Sequence, residues 1–328
     1  MKAEFEKHEC TFLLYPERKD VWRKKCAPIR KVIENLALTI SEYEPVHLGY
    51  KNAIPKISAL PMIYDDIWCR DTGPIPAKNG DLISFNFDGW GGEMIAEIND
   101  DKKLPGQIAT VLGKKLNEIP LVLEGGNITC DGNGTILLIE HNLVNSNKDM
   151  SLAKIEECLR QSLNIRQIIW LPRGLKFDET GGHIDNIASF ADARTILLSF
   201  TNDMKHPQYE IVNEAFSILK NAKDINGNPY QIVKVPIPDI FFTTKDDCAD
   251  IEIVQGSKPR IEGLPIQASY INFIFANGAV IVPQFNLPQD NDALSVFKKV
   301  FTNRKVIPSH AREVVLGGGG LHCISRNI

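Results

Sequence analysis

Four strand–turn–strand units recur along the chain, and they limit its fold more than any other feature. GPIPAKNGDLISFNF turns at Asn79-Gly80, NITCDGNGTILLI around Asn133-Gly134, DNIASFADARTILLSF near Asp192, and SYINFIFANGAVIVPQF at Asn277-Gly278. Asn-Gly pairs suit tight hairpins because both turn positions tolerate positive φ. Between the hairpins, apolar residues recur at i, i+3 and i+4, which predicts helices over about 108–116, 152–163, 209–219 and 292–301. A short apolar strand follows each helix, at 121–124, 167–171, 231–235 and 305–307. The N-terminal segment adds a fifth set: strand TFLLY, a helix over about 21–43, then strand PVHLG. Its first strand has no hairpin partner of its own, and the final HCISRNI is available to supply one. Alternating helices and strands predict an α/β fold, and five such units with chain-end closure predict a five-bladed propeller-like ring in a single domain. No Pro/Ser-rich linker divides the chain. Residues 223–227 and 243–263 read as surface loops, and a loop as long as the second often borders a binding site.

Composition excludes several partner classes. Lys and Arg number 37 against 41 Asp and Glu, a net charge of −4, so the chain has no basic footprint and nucleic acid is not an expected partner. The longest uncharged run, 263–289, contains Asn272, Asn277, Gly278 and Pro283 and reads as a hairpin, so no membrane span is expected. The apolar stretch near the start, Thr11 to Tyr15, is too short for a signal-peptide core. Seven cysteines without a CxxC pair read as reduced thiols in a cytoplasmic protein, and the absent ligand spacing argues against zinc.

The chemically suggestive residues fall where each unit's incoming strand gives way to its hairpin. Asp71 lies in WCRDTGP, Glu124 in LEGGN, His183 and Asp185 in ETGGHIDN, and Cys323 in GGGGLHC. In a ring of like units, equivalent positions converge on the centre. A thiolate is a strong nucleophile that is scarce at neutral pH without help. His183 is placed to move protons with Glu124 orienting its imidazole. Asp71 and Asp185 then remain, and paired carboxylates suit the forked N–H donors of a guanidinium. The set points to attack on a guanidinium carbon, because an amide would call for an oxyanion hole of N–H donors.

Each residue also has a structural reading. Cys323 alone would be a small buried hydrophobe, His183 with Asp185 a satisfied core pair or a metal pair, Glu124 a turn cap, and Asp71 beside Arg70 an ion pair. Trp68 and Trp90 taken singly read as core. If His322 and Cys323 shared a strand, their side chains would point to opposite faces, which favours His183 as the base. Joint placement, not any single residue, carries the case.

The motifs IWCRDTGP, FNFDGWGG, LEGGNITCDGNGT, ETGGHIDN, QASYINF and GGGGLHCIS, after the opening AEFEKHECTFLLYPERKDVWR, occur in that order over nearly the whole chain. In this the sequence resembles the agmatine deiminases of the guanidine-modifying superfamily. The resemblance implies a pentein-type five-bladed α/β propeller, no metal and no organic cofactor, and hydrolysis of agmatine to N-carbamoylputrescine and ammonia. It implies Cys323 as the nucleophile forming an amidino-cysteine intermediate, His183 as general acid/base and Glu124 as its partner. Asp71 and Asp185 would bind the guanidinium nitrogens, Trp68 would line the pocket, and a homo-oligomer is expected. Three stretches depart from the family pattern. The segment after Trp90-Gly91-Gly92 is short, Lys148-Asp149-Met150 replaces Arg-Asn-Pro, and Gly320-Leu321 replaces Asn-Ile before His322-Cys323. The first two would reshape the far end of the pocket, which leaves free arginine, peptidyl-arginine or another alkylguanidine as alternative substrates. A catalytically silent ring and a metal-dependent hydrolase are the readings from other classes.

Overall fold

The computed structural model describes residues 1–91 and 98–328. Hairpins form where the turn chemistry requires them. Asn277 and Gly278 alone connect Ile274–Ala276 to Ala279–Gln284, and Gly278 takes φ +84°, a left-handed value at which a side chain would be strained. Ile75–Pro76 pairs with Leu82–Asn86, Ile128–Cys130 with Thr135–Ile139, and Ala188–Phe190 with Thr195–Phe200, all antiparallel.

The second strand of each hairpin then pairs in parallel with a strand delivered by a helix. Helix Leu104–Leu112 leads to Leu116–Val122, Leu152–Leu163 to Gln167–Leu171, Tyr209–Leu219 to Gln231–Pro236, and Asp290–Val300 to Lys305–His310. Three of the shared middle strands are covered on both faces: Thr135–Ile139, Thr195–Phe200 and Ala279–Gln284 are buried at every residue. That burial explains why they read as continuous apolar runs rather than alternating ones.

The fifth sheet is assembled from both ends of the chain. Thr11–Leu14 pairs in parallel with Val46–Tyr50, which follows helix Ala27–Ser41 and also meets Leu60–Pro61. Its antiparallel partner is Ser325–Asn327, in the register Thr11↔Asn327 and Leu13↔Ser325. The fold is thus a mixed α/β one, with a separate two-stranded pair, Phe241–Phe242 and Pro265–Ile266, bracketing the long loop. Among the described residues no helix is long and apolar enough to cross a membrane.

Several boundaries differ from the sequence reading. The first helix starts at Ala27 rather than near Val21, because Lys24, Lys25 and Cys26 all have positive φ and Pro28 presets the first helical turn. The helix expected over 108–116 runs over Leu104–Leu112, ended by Gly113 at φ +62°. Leu116 is therefore free to open the next strand, which runs to Val122 instead of spanning 121–124, and Glu124 lies beyond it. The helices at 152–163 and 209–219 agree residue for residue. The last helix begins two residues earlier than its apolar pattern indicated, at Asp290.

Three one-turn segments hold equivalent places ahead of three of the hairpins: Cys69–Thr72, Gly125–Asn127 and Ile184–Asn186. Gly125–Asn127 packs against both of the others, and Asp71, Glu124, His183 and Asp185 lie in these segments or directly beside them, whereas Cys323 lies on a turn near the chain end.

Candidate active site

Asp71 enters on the one-turn helix Cys69–Thr72, its side chain fixed by two donors. The backbone N–H of Gly126 gives Oδ1 a 2.8 Å bond and the Trp90 indole N–H gives Oδ2 one of 2.9 Å. Gly126 has to be glycine for this approach. A Cβ there would lie 2.6 Å from His183 Nδ1, 2.8 Å from Asp71 Oδ1 and 3.0 Å from Asp185 Oδ2. One backbone position thus locates three of the candidate side chains around it.

His183 is fully buried, and its backbone N–H donates to Asp178 (3.1 Å), which also accepts from Asn186 Nδ2 (2.8 Å) and so shapes the ETGGHIDN turn. Its ring stands 3.8 Å from Asp71 Oδ1 through Nδ1 and 3.9 Å from Glu124 Oε2 through Nε2, near two carboxylates but hydrogen-bonded to neither. Burial opposes the charged imidazolium, and Asp71, Glu124 and Asp185 overcome it, so the His183 pKa lies above its ordinary value. Burial pushes Glu124 up to about 7 and raises Asp71 as well.

Cys323 is buried on the turn 321–324. Its Sγ accepts from Asn272 Nδ2 at 3.2 Å and from the Gly320 N–H at 3.3 Å, and lies 3.5 Å from Asp185 Oδ2. Burial first, then the Asp185 and Asp71 carboxylates, push the thiol well above its usual value. Each of these influences favours the neutral thiol over a thiolate.

The polar atoms left over are informative. Among the described residues, both carboxylate oxygens of Glu124, both ring nitrogens of His183 and Oδ1 of Asp185 are buried without a hydrogen-bond partner. Leaving such groups unsatisfied is expensive. Their clustering marks a place built for a ligand with several N–H donors and a positive charge. The pocket leading in is lined by Trp68, Asp71, Trp90, Glu179, Thr180, Gly317, Gly318, Gly319 and Cys323. Among its described lining residues, Asp71 and Glu179 are the charged ones, both acidic. No group of three or more His, Cys, Asp or Glu among the described residues is arranged to hold a metal ion.

Cys323, His183, Glu124, Asp71, Asp185 and Trp68 thus come together as the sequence suggested, with one correction. His322 does not point away, because a turn rather than a strand carries it. Its Nδ1 lies 2.8 Å from Asp185 Oδ2 and its Nε2 2.8 Å from Glu4. Two carboxylate acceptors require N–H at both nitrogens, hence an imidazolium, in keeping with a pKa raised by Glu4 and Asp185 against burial and Arg70. Arg70 pairs with Glu4 at 2.8 Å rather than with its neighbour Asp71.

Sequence reasoning passed over Glu179, Arg260 and Asn272. Arg260 comes from the long 243–263 loop, grips Glu179 with both Nη atoms (2.5 and 2.9 Å) and donates to the Gly317 carbonyl (2.8 Å). That loop does border the site, as its length hinted. Asn272 lay within QASYINF, but nothing in the strand pattern distinguished it. Trp68 donates to Asp66 at 3.1 Å and leans on Trp22 while lining the pocket, and Trp90 both lines the pocket and orients Asp71. The shortened stretch after Trp90-Gly91-Gly92 lies largely outside the described residues.

Residues 1–328 match the family described as Porphyromonas-type peptidyl-arginine deiminase. Agmatine deiminase of Pseudomonas aeruginosa (strain LESB58) is 35% identical, the match covering 99% of this chain and 94% of that protein. The structure of Enterococcus faecalis agmatine deiminase superposes with a TM-score of 0.93 at 30% identity, covering 100% of this chain and 94% of that one. A cysteine-to-serine variant of C. jejuni agmatine deiminase with substrate bound gives 0.84 at 25% identity, covering 99% and 94%.

Proposed function

This chain belongs to the Porphyromonas-type peptidyl-arginine deiminase family, and we propose from that premise that it is a hydrolase converting agmatine to N-carbamoylputrescine and ammonia. The cluster of partnerless buried atoms on Glu124, His183 and Asp185 carries the reading. A guanidinium offers forked N–H donors and a charge that offsets the surrounding carboxylates, so it suits these groups. The agmatine deiminases similar to this chain point the same way.

The chemistry we assign begins with exchange of a proton for the guanidinium. As the cation settles between Asp71 and Asp185, it offsets the charges that hold the Cys323 thiol up, and the thiol proton leaves to solvent. The thiolate attacks the guanidinium carbon, and an S–C bond forms. His183, as imidazolium, gives its proton to one terminal nitrogen, the C–N bond breaks, and ammonia departs from an amidino-cysteine. Water then adds to the same carbon while His183 takes a proton back. The S–C bond breaks with its electron pair returning to sulfur, which takes a proton from solvent to restore the thiol; the ureido product sheds its remaining proton to solvent, where the ammonia released earlier is protonated to ammonium. Glu124 keeps the imidazolium available through its charge.

We read the five sheets as blades of a pentein-type propeller formed by residues 1–328 as a single domain of five units. The repeated strand order and the pairing of the first strand with the chain end support this. Reduced cysteines, all seven free, support a cytoplasmic setting. The exposed Ile253, Val254 and Ile261 in the long loop support self-association as a homo-oligomer.

The test is ureido-product formation from agmatine, with arginine and a peptidyl-arginine in parallel and Cys323→Ala as control. Turnover of agmatine well above the others, abolished in the variant, is expected. Preference for arginine or for the peptide would overturn the substrate, and an active Cys323→Ala would overturn the nucleophile.

A further inference from the structure

Asn272 is 1% exposed and lies just before the hairpin strand Ile274–Ala276, on a sheet that contributes none of the residues discussed above as acids or bases. The orientation of its amide is fixed from behind. The His322 backbone N–H donates to its Oδ1 at 2.9 Å, so that end is the oxygen and the other carries the hydrogens. The nitrogen end reaches Asn186 Oδ1 at 3.1 Å and Cys323 Sγ at 3.2 Å. The Gly320 N–H approaches the same sulfur at 3.3 Å. Position 320 has room for no side chain, because a Cβ there would overlap the Asn272 amide. Two N–H donors thus converge on one sulfur from separate parts of the chain, and a glycine keeps the space between them clear.

The need for such donors follows from the charges that face Cys323. Asp185 and Asp71 both oppose a thiolate. Behind Asp185, His322 is held by Glu4, and His183 stands between Asp71 and Glu124. The sulfur becomes an anion facing the Asp185 and Asp71 carboxylates twice in the proposed cycle, before it attacks and again as it is expelled.

We propose that Asn272 is a catalytic residue, its side-chain amide and the Gly320 N–H forming a two-donor cradle for the Cys323 thiolate. The proposal rests on the deiminase reading for its place in the cycle, but the cradle itself is testable without substrate. Its measure is the pH dependence of Cys323 alkylation by iodoacetamide, followed by intact mass, in wild type, Asn272→Ala and Gly320→Ala. The expected result is a midpoint raised by about one unit in Asn272→Ala, that is, alkylation slowed about tenfold at a fixed pH below the midpoint. Gly320→Ala, which displaces the amide, should shift in the same direction. With agmatine, kcat should fall by roughly 10–10²-fold while KM moves little, as for loss of one donor to a developing anion. A purely structural role would instead change the melting temperature and KM with the alkylation profile intact.

If the alanine variant does not fold, Asn272→Asp replaces it, since it keeps the oxygen that accepts the His322 N–H and lacks the donor. Wild-type kcat in that variant would overturn the proposal, as would a wild-type alkylation profile in folded Asn272→Ala. Shifted alkylation in a protein that turns over no guanidine would sink the function and leave the cradle standing.

Discussion

Glu124 shows how the site holds energy that a ligand can use. Its carboxyl is fully buried with neither oxygen partnered among the described residues, and burial lifts it from 4.5 to about 7. Below pH 4.5 it is protonated in both folded and unfolded chains. Between 4.5 and about 7 the folded chain holds a proton that the unfolded chain has lost, so this stability contribution shrinks as pH rises and is gone above about 7. Glu124→Gln should therefore be more stable than wild type at pH 8, by roughly 1–3 kcal/mol, and no more stable near pH 4. The same variant should be inactive, a trade between stability and activity expected of a strained site. In wild type, kcat/KM for agmatine should fall on the acid side as pH drops through about 7 and Glu124 loses the charge that attracts the cation. Thermal unfolding at the two pH values together with a pH–rate profile checks all of this, and a Glu124→Gln protein less stable than wild type at pH 8 would contradict it.

At the scale of the element, the site depends on three one-turn segments meeting edge to edge, with Gly126 at their junction. Gly126→Ala places a methyl group inside van der Waals contact of His183, Asp71 and Asp185 together. We expect a folded protein, with a melting temperature lowered by several degrees and agmatine turnover reduced at least about 10²-fold, since small misplacements at a reacting centre have effects of that size. Near wild-type kcat in Gly126→Ala would show that those side chains need not be held so closely. The same elements explain what the sequence could reveal. Asn-Gly turns and continuous apolar strands are local signals, so the hairpins, and the helices at 152–163 and 209–219, were legible. The true start of the first helix was not, because positive φ at Lys24, Lys25 and Cys26 is set by tertiary packing rather than by residue type. His322 was misjudged for a similar reason: alternation applies on a strand, and it sits on a turn.

At the scale of the molecule, the two ends of the chain share one sheet, and Cys323, the proposed nucleophile, is carried on the approach to its last strand. Ser325–Asn327 pairs with Thr11–Leu14, and two residues before that strand stands Cys323. Glu4, from the first residues, reaches His322 from the other side. Convergence of distant polar residues could be read from their equivalent places in the units, which is why Asp71, Glu124, His183, Asp185 and Cys323 could be grouped before any coordinates. The supporting groups Asn272, Glu179 and Arg260 could not, since each acts through a long-range contact that no periodicity marks. The most direct test of the whole scheme is intact-mass analysis of the protein quenched in acid within milliseconds of mixing with agmatine. The expected species carries one added group, the substrate less ammonia, mapped to Cys323 and absent from Cys323→Ala. Steady production of the ureido compound with no adduct on Cys323 at any mixing time, and full turnover by Cys323→Ala, would contradict it.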